Sequence, residues 1–336
     1  MSRSLRSGSG TRLSGPLPRY GKLLFRKFGE LDDEDFARIL SNEKLYGNSQ
    51  PRWKKAPTAK QTEKYWKLGV KQLHANMYQS LPFDVATAGD VIGNCQPGCR
   101  CKSNGCYLCV RAVQRWLVKN TRRLIKSPPN PGYQDKAFNF VFPAGQVPIG
   151  DLRLVRWRKI MRRCVAALEN CGCVAWGILA FDVSFNDDTK KAQRGAIHLP
   201  PFLYWQVHLY GIIRTSDYPK VRAVLKALWP KDEKIKSPVK AKAKFNGSYY
   251  AISYLLKPAA FKRSAYWPTR AIKPRWQTGK SALKGRVHVE YLTASHQLGL
   301  PGRIGLINLH PMKTTPTASK PGGIQLRPVK PKENES

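Results

Sequence analysis

The stretch FLYWQVHLYGIIR, Phe202 to Arg214, reads as one long β-strand. Residues i and i+2 of a strand share a face, so Gln206, His208 and Tyr210 stand on one side and Trp205, Val207 and Leu209 on the other. The apolar side belongs against a core. The preceding run WGILAFDVSF, Trp176 to Phe185, predicts a second strand, and Asp182 is the one acid within it. If these strands pair as neighbours, Asp182 faces the polar trio. A polar face that simply meets water would look the same for one histidine alone. With the acid added, imidazole, carboxylate and amide oxygen make Asp182, Gln206 and His208 a candidate site for Mg2+ or Mn2+. Such an ion would act as a Lewis acid on a phosphodiester oxygen.

Working outward, AFNFVF (Ala137 to Phe142) predicts another strand and LRLVRWRKIMRRCVAALE (Leu152 to Glu169) a helix. YPKVRAVLKALW predicts a short helix, and SYYAISYLLKP (Ser248 to Pro258) a further helix spanning about 247–257. The order suits an α+β fold with an antiparallel central sheet and packed helices. On the last helix Tyr250 and Tyr254 are four residues apart and share a face, with Lys257 one turn on. Tyrosines at this spacing more often pack than react, and Tyr249 beside them is a competing candidate.

A Cys-rich zinc element precedes the sheet. In CQPGCRCKSNGCYLC the cysteines are Cys95, Cys99, Cys101, Cys106 and Cys109. Four thiolates complete a tetrahedral Zn2+ site, and Cys106-x2-Cys109 has the spacing of a knuckle that aims two sulfurs at one ion. The spacing leaves open which two of the other three join it. Cys164 falls in a helix core, and Cys171 and Cys173 follow that helix.

The charge points to the partner. Lys and Arg number 59 against 21 Asp and Glu, for a net +38. Self-repulsion on that scale opposes compaction and calls for a polyanion, nucleic acid first. Arg111, Arg115, Arg122 and Arg123 in the helix after the cysteines, and Arg162 and Arg163 in the next, are candidate DNA contacts. Trp53, Trp66, Trp267 and Trp276 lie among basic residues and are candidates for stacking on unpaired bases. No apolar run of about 18 residues suggests a membrane span, and the N-terminus lacks the apolar stretch of a secretory signal. The expectation is a cytoplasmic protein with reduced thiols and no membrane partner. The organisation read from composition is a basic, largely flexible region over 1–60, containing one acid-rich helix, GELDDEDFARIL. A helical region with the cysteines follows over 61–130, then the sheet domain over 131–262. A basic C-terminal region over 263–310 and a disordered tail over 311–336 complete the chain.

Taken in order, the Cys-rich element, the strand with a lone acid, the W-x-x-H strand and the Y-x-x-x-Y-x-x-K helix resemble a known pattern. It is that of the rolling-circle replication initiators of the HUH endonuclease superfamily. The double-tyrosine, gene A-type initiators of small single-stranded DNA phages and some plasmid Rep proteins are most similar. The likeness covers roughly residues 95–260. It implies an HUH/Rep-like, RRM-like core and an endonuclease that joins a DNA 5′-phosphate to tyrosine. Tyr250 and Tyr254 would be nucleophiles, and Lys257 would orient the phosphate or metal. The implied partners are single-stranded or origin DNA and a host replication helicase and polymerase, in the cytoplasm of a bacterial host cell. The pattern departs at Tyr210, where the family strand has a histidine, and Gln206 takes the place of another. That departure supports an alternative: a catalytically inactive, zinc-containing nucleic-acid-binding protein on the same scaffold. No G-x4-G-K-[ST] loop occurs, which argues against a fused helicase.

Overall fold

The computed structural model describes residues 38–39, 59–79, 84–96, 99–129, 131–197, 202–229, 239–241, 245, 247–268, 276–315 and 323–329. Most of the basic region over 1–60, including Trp53 and most of its acid-rich helix, lies outside these residues.

The two apolar runs that dominate the middle of the sequence pair with each other. Strands β2 (Val174–Asp187) and β3 (Leu203–Thr215) run antiparallel along their whole length. On the far side of β3 lies β1 (Gln134–Val147), also antiparallel, and the short β4 (Val239–Ala241) closes that edge. On the other side of β2 come β5 (Phe261–Tyr266) and β6 (Gln277–Ala282), giving the order β4-β1-β3-β2-β5-β6. A seventh strand, β7 (Ile304–Ile307), shares the β2 edge with β5. β7 covers Gly177 to Ala180, and β5, parallel to β2, covers Phe185 to Asp187. In the gap between them the Phe181 carbonyl accepts a 2.9 Å hydrogen bond from Arg303 Nε, so the buried edge is satisfied by a side chain.

Helices cover both faces. The first three are α1 (Ala59–Asn76), α2 (Val85–Gly93) and α3 (Tyr107–Lys126). α4 (Trp157–Asn170) follows β1, the five-residue α5 (Thr189–Gln193) joins β2 to β3, and α6 (Tyr218–Leu228) follows β3. The last two are α7 (Tyr249–Ser253) and α8 (Gly285–Arg303). α4 and α8 lie on the face of Phe181 and Trp205. Trp157 meets Phe181 edge-on at 5.1 Å, and Trp205 packs between Phe185 and Tyr291. The opposite face, that of Asp182 and His208, carries the end of α3, which Arg214 of β3 holds by donating to the Ile125 and Ser127 carbonyls. It also carries α7 and a 3-10 turn, Tyr254–Leu256.

The architecture is thus α+β with a mostly antiparallel sheet and packed helices. Three expectations are corrected. The sheet does not end at 262, because β5, β6 and β7 continue it and α8 supplies core residues such as Leu292 and Leu300. The segment 263–310 is therefore part of the same body. The tail expected to be disordered from 311 contains a hairpin, β8 (Leu309–Thr314) with β9 (Gly323–Pro328). Its alternating Ile324 and Leu326 are buried, and the Ile324 carbonyl accepts from Trp116 Nε1 of α3 at 2.7 Å. The helix expected over 247–257 is shorter: α-helix to Ser253, then 3-10 to Leu256. Pro258 disfavours the α conformation at Lys257, which is extended (ψ 131°).

Candidate functional site

The cysteines gather where α2 ends and α3 begins. Cys95 follows α2, its N–H donating to the Ile92 carbonyl, while Cys106 is the N-cap residue of α3 and Cys109 sits in its first turn. Gly105 lets the chain enter α3, since a Cβ there would stand 2.4 Å from the Leu292 carbonyl oxygen. The Sγ atoms of Cys95, Cys101, Cys106 and Cys109 all lie within 4.8 Å of one another. Cys109 Sγ is 3.6 Å from that of Cys95 and 3.7 Å from that of Cys101. Tetrahedral bonds of about 2.3 Å to zinc would set sulfurs about 3.7 Å apart. Four cysteines can therefore hold a metal ion such as zinc here. The fifth is Cys99, which a reciprocal pair of backbone hydrogen bonds with Gln96 leaves exposed. Hydrogen bonds from Cys101, Cys106 and Cys109 hold the Cys95 thiol far below its usual range, while the same network pushes the buried Cys106 and Cys109 up, so Cys95 is the first of the four to be a thiolate. Elsewhere, Cys164 is buried in α4, and Cys171 and Cys173 hold their sulfurs 3.3 Å apart beyond its end. Among the described residues no other group of three or more His, Cys, Asp and Glu side chains is close enough to share a metal.

The second candidate lies on the sheet. Asp182 stands directly opposite His208, with Ser184 opposite Gln206 and Ala180 opposite Tyr210. These residues therefore form one row on one face, and Asp182, Gln206 and His208 are all buried. Burial holds His208 down to about 4, so its imidazole is neutral at physiological pH. His208 Nε2 is 3.4 Å from Ser184 Oγ, and the buried Nδ1 has no hydrogen-bond partner. Gln206 makes a long 3.5 Å contact to the neighbouring Val207 carbonyl.

The 3-10 turn sets Tyr254 and Lys257 against this row. The Lys257 ammonium donates to Asp182 Oδ2. The same ammonium lies 3.9 Å from the centre of the Tyr254 ring and 4.9 Å from that of Tyr210. The Tyr210 and Tyr254 rings meet edge to face at 5.4 Å. Burial raises the Asp182 carboxyl, but Lys257, His208 and Arg303 outweigh it and hold the group below its usual range, so it is ionised. Burial pushes the Tyr210 phenol up, as do Asp182 and Tyr254. Tyr250 belongs to α7, four residues before Tyr254. Tyr249 lies under the Arg122 guanidinium, 3.7 Å from its ring centre.

The candidate DNA-contacting arginines divide. Arg162 and Arg163 on α4 are exposed, and Arg163 lies 5.4 Å from the Trp229 ring. Arg111 and Arg115 are buried, contrary to expectation. α3 is enclosed by α1, α7 and β9, so Arg111 and Arg115 face protein, while Lys119 and Lys126 stay exposed. Arg123 is half-buried and donates to Gln325 and to the Leu326 carbonyl of the β8–β9 hairpin. Two arginines escaped the sequence reading. Arg303 also donates to the Lys257 carbonyl (2.7 Å) and Asn104 (3.1 Å), locking the turn that delivers Lys257. Arg263 of β5, opposite Asn186, faces the Tyr210 phenol. Its position could have been found from the alternation of FKRSAY, whereas nothing around Arg303 marked it. No helix among the described residues is long and apolar enough to cross a membrane.

No protein-family model, curated protein or solved structure matches the chain.

Proposed function

We propose that this protein nicks and rejoins single-stranded origin DNA through a 5′-phosphotyrosine intermediate, on an HUH-like scaffold, to start rolling-circle replication. The observation that carries the reading is the meeting of Tyr254 and Lys257 with the Asp182–His208 pair on one sheet face. A free phenol with a pKa near 10 is mostly protonated at neutral pH. The Lys257 ammonium, 3.9 Å from the centre of the Tyr254 ring, would orient the phosphate that the phenol attacks. The phenolate oxygen attacks phosphorus, the P–O3′ bond breaks, and the 3′-oxygen leaves as a hydroxyl with the proton the phenol released. The new ester keeps the energy of the old one, so rejoining needs no nucleotide. The freed 3′-OH would prime a host polymerase, and Tyr250 would serve a second transfer.

Asp182, Gln206 and His208 would hold Mg2+ or Mn2+. The unpartnered ring nitrogen of the neutral His208 and the ionised Asp182 suit such an ion. When bound, the ion supplies Lewis-acid polarisation of the scissile phosphate. One observation favours a second reading, DNA binding without cleavage: the Asp182 carboxylate is already paired with Lys257, and Tyr210 stands where a histidine ligand was expected. Incubation of the protein with single-stranded DNA and Mn2+, followed by denaturing electrophoresis, separates the two. Nicking predicts a covalent adduct that Tyr254→Phe reduces and Tyr250→Phe/Tyr254→Phe abolishes. DNA retention without any adduct would leave the binding-only reading.

A further inference from the structure

The β5–β6 hairpin extends the candidate face beyond β2. Arg263 lies opposite Asn186 of β2, on the side of Ser184 and Gln206, and opposite Lys280 of β6. Lys262, one residue away, points to the other side and pairs with Asp187 at 2.7 Å. Counting by twos from Arg263 and Lys280 along the antiparallel register reaches Ala265 and Thr278, then Trp267 and Trp276. These two indoles meet at 5.5 Å and an interplanar angle of 75°, at the far end of the hairpin. Trp267 is 36% exposed, and Trp276 is half-buried. Four residue steps lead from Arg263 to Trp267, about 13 Å at 3.3 Å per residue.

We propose that the β5–β6 hairpin is an arm that holds an unpaired strand of nucleic acid, with Trp267 and Trp276 stacking on its bases and Arg263 and Lys280 on its phosphates. Neither cation makes an ion pair with a carboxylate among the described residues, and a partly exposed indole pair further along the same hairpin from two cations suits bases linked by phosphates. An indole offers a face that any base can cover, provided the base is not already stacked in a duplex. The charge of the chain, +38, draws a polyanion to this surface rather than an apolar peptide. The arm deepens the nicking reading, on which its direction rests: the strand would run from the indoles past Arg263 toward Tyr210 and Tyr254.

The test is fluorescence anisotropy of a labelled oligothymidylate and of a labelled duplex, at several salt concentrations, with the full chain. Trp267→Ala and Trp276→Ala should each weaken oligothymidylate binding about tenfold. Duplex binding and the salt slope should stay as in the wild type. Trp267→Phe should restore most of the loss, and Lys280→Ala should lower the salt slope by about 0.7. Unchanged thermal midpoints for Trp267→Ala and Trp276→Ala exclude misfolding as the cause, and any variant that fails this control is replaced by its Leu counterpart, which keeps bulk without an aromatic face and should lose the same binding. Oligothymidylate affinity within about twofold of wild type for both alanine variants would overturn the arm, as would an equal loss for the duplex. The tyrosyl adduct is scored separately. An adduct formed by variants that bind as wild type sinks the arm alone. Weakened binding by the variants of a protein that forms no adduct sinks the nicking alone.

Discussion

Lys257→Met removes the cation from a buried pair while keeping much of the side chain's bulk. The structure sets the cost. Asp182 is 3% exposed, so the carboxylate left behind cannot regain its water. Unit charges about 4 Å apart at an effective dielectric constant of 20 attract by about 4 kcal/mol. Breaking one side of a buried pair costs about 3–5 kcal/mol for the same reason. The lost ammonium also faced two rings, Tyr254 and Tyr210, each contact being worth about 0.5–1 kcal/mol. We therefore expect Lys257→Met to lose about 4 kcal/mol in urea unfolding at pH 7. The sign of the pH dependence should invert as well. In the wild type the Asp182 carboxyl is held below its usual 3.8, so its contribution is present above that value and is lost as pH falls through the lower folded value. Without Lys257, burial dominates and raises the group, so the variant should gain stability, relative to wild type, as pH drops from 7 toward 5. Asp182→Asn in the Lys257→Met background should recover most of the loss, with a coupling of about 2 kcal/mol or more between the two sites. Unfolding of Lys257→Met within about 1 kcal/mol of wild type, or a purely additive cycle, would refute the reasoning.

Three further outcomes are expected. Metal analysis of purified protein should find one zinc-type ion per chain, retained in Cys99→Ser and lost in Cys106→Ser, because only Cys106 belongs to the close four. Gly211→Ala should destabilise by about 3 kcal/mol in urea unfolding, since a Cβ there would stand 2.2 Å from Phe138 Cζ and 2.9 Å from Leu179 Cδ2. His288 of α8 lies between Tyr107, whose hydroxyl is 2.7 Å from Nε2, and Gln72, 2.6 Å from Nδ1, and burial holds it down to about 4. The unfolded chain then binds the extra proton, so stability falls as pH drops from 6.5 toward 4, by about 3 kcal/mol for this group, and denaturation of His288→Gln across that range should show a shallower loss.

What the sequence revealed follows from which of its patterns are local. Period-two alternation set Gln206, His208 and Tyr210 on one face, and the single acid in the preceding strand marked a partner should the two strands pair; that Asp182 stands directly opposite His208 follows from the strand register, which alternation does not fix. The cysteines were legible as a cluster but not as a set of four. Excluding Cys99 depends on the Gln96–Cys99 turn, whose two backbone hydrogen bonds no spacing rule expresses. Burial of Arg111 and Arg115 was not legible, because an arginine on a helix reads as surface until three other elements are known to enclose it. The C-terminal hairpin was hidden by its flanks. Pro and Lys dominate the composition there, and the two-residue alternation of Ile324 and Leu326 is too short to outweigh them. The resemblance makes Lys257 a helper beside phosphate or metal. That it meets Asp182 first depends on the change from α to 3-10 geometry at Tyr254, where Pro258 ends the helix.

Mapping of the covalent linkage tests the nicking reading most directly. The protein is incubated with single-stranded origin DNA and Mn2+, the product is digested with nuclease and protease, and the peptides are read by mass spectrometry. A nucleotide 5′-phosphate on Tyr254, or on Tyr250 after the second transfer, is the predicted result. No nucleotidyl peptide at all from protein that still binds the DNA, or a linkage on Tyr249 or another residue away from Asp182 and His208, would contradict it.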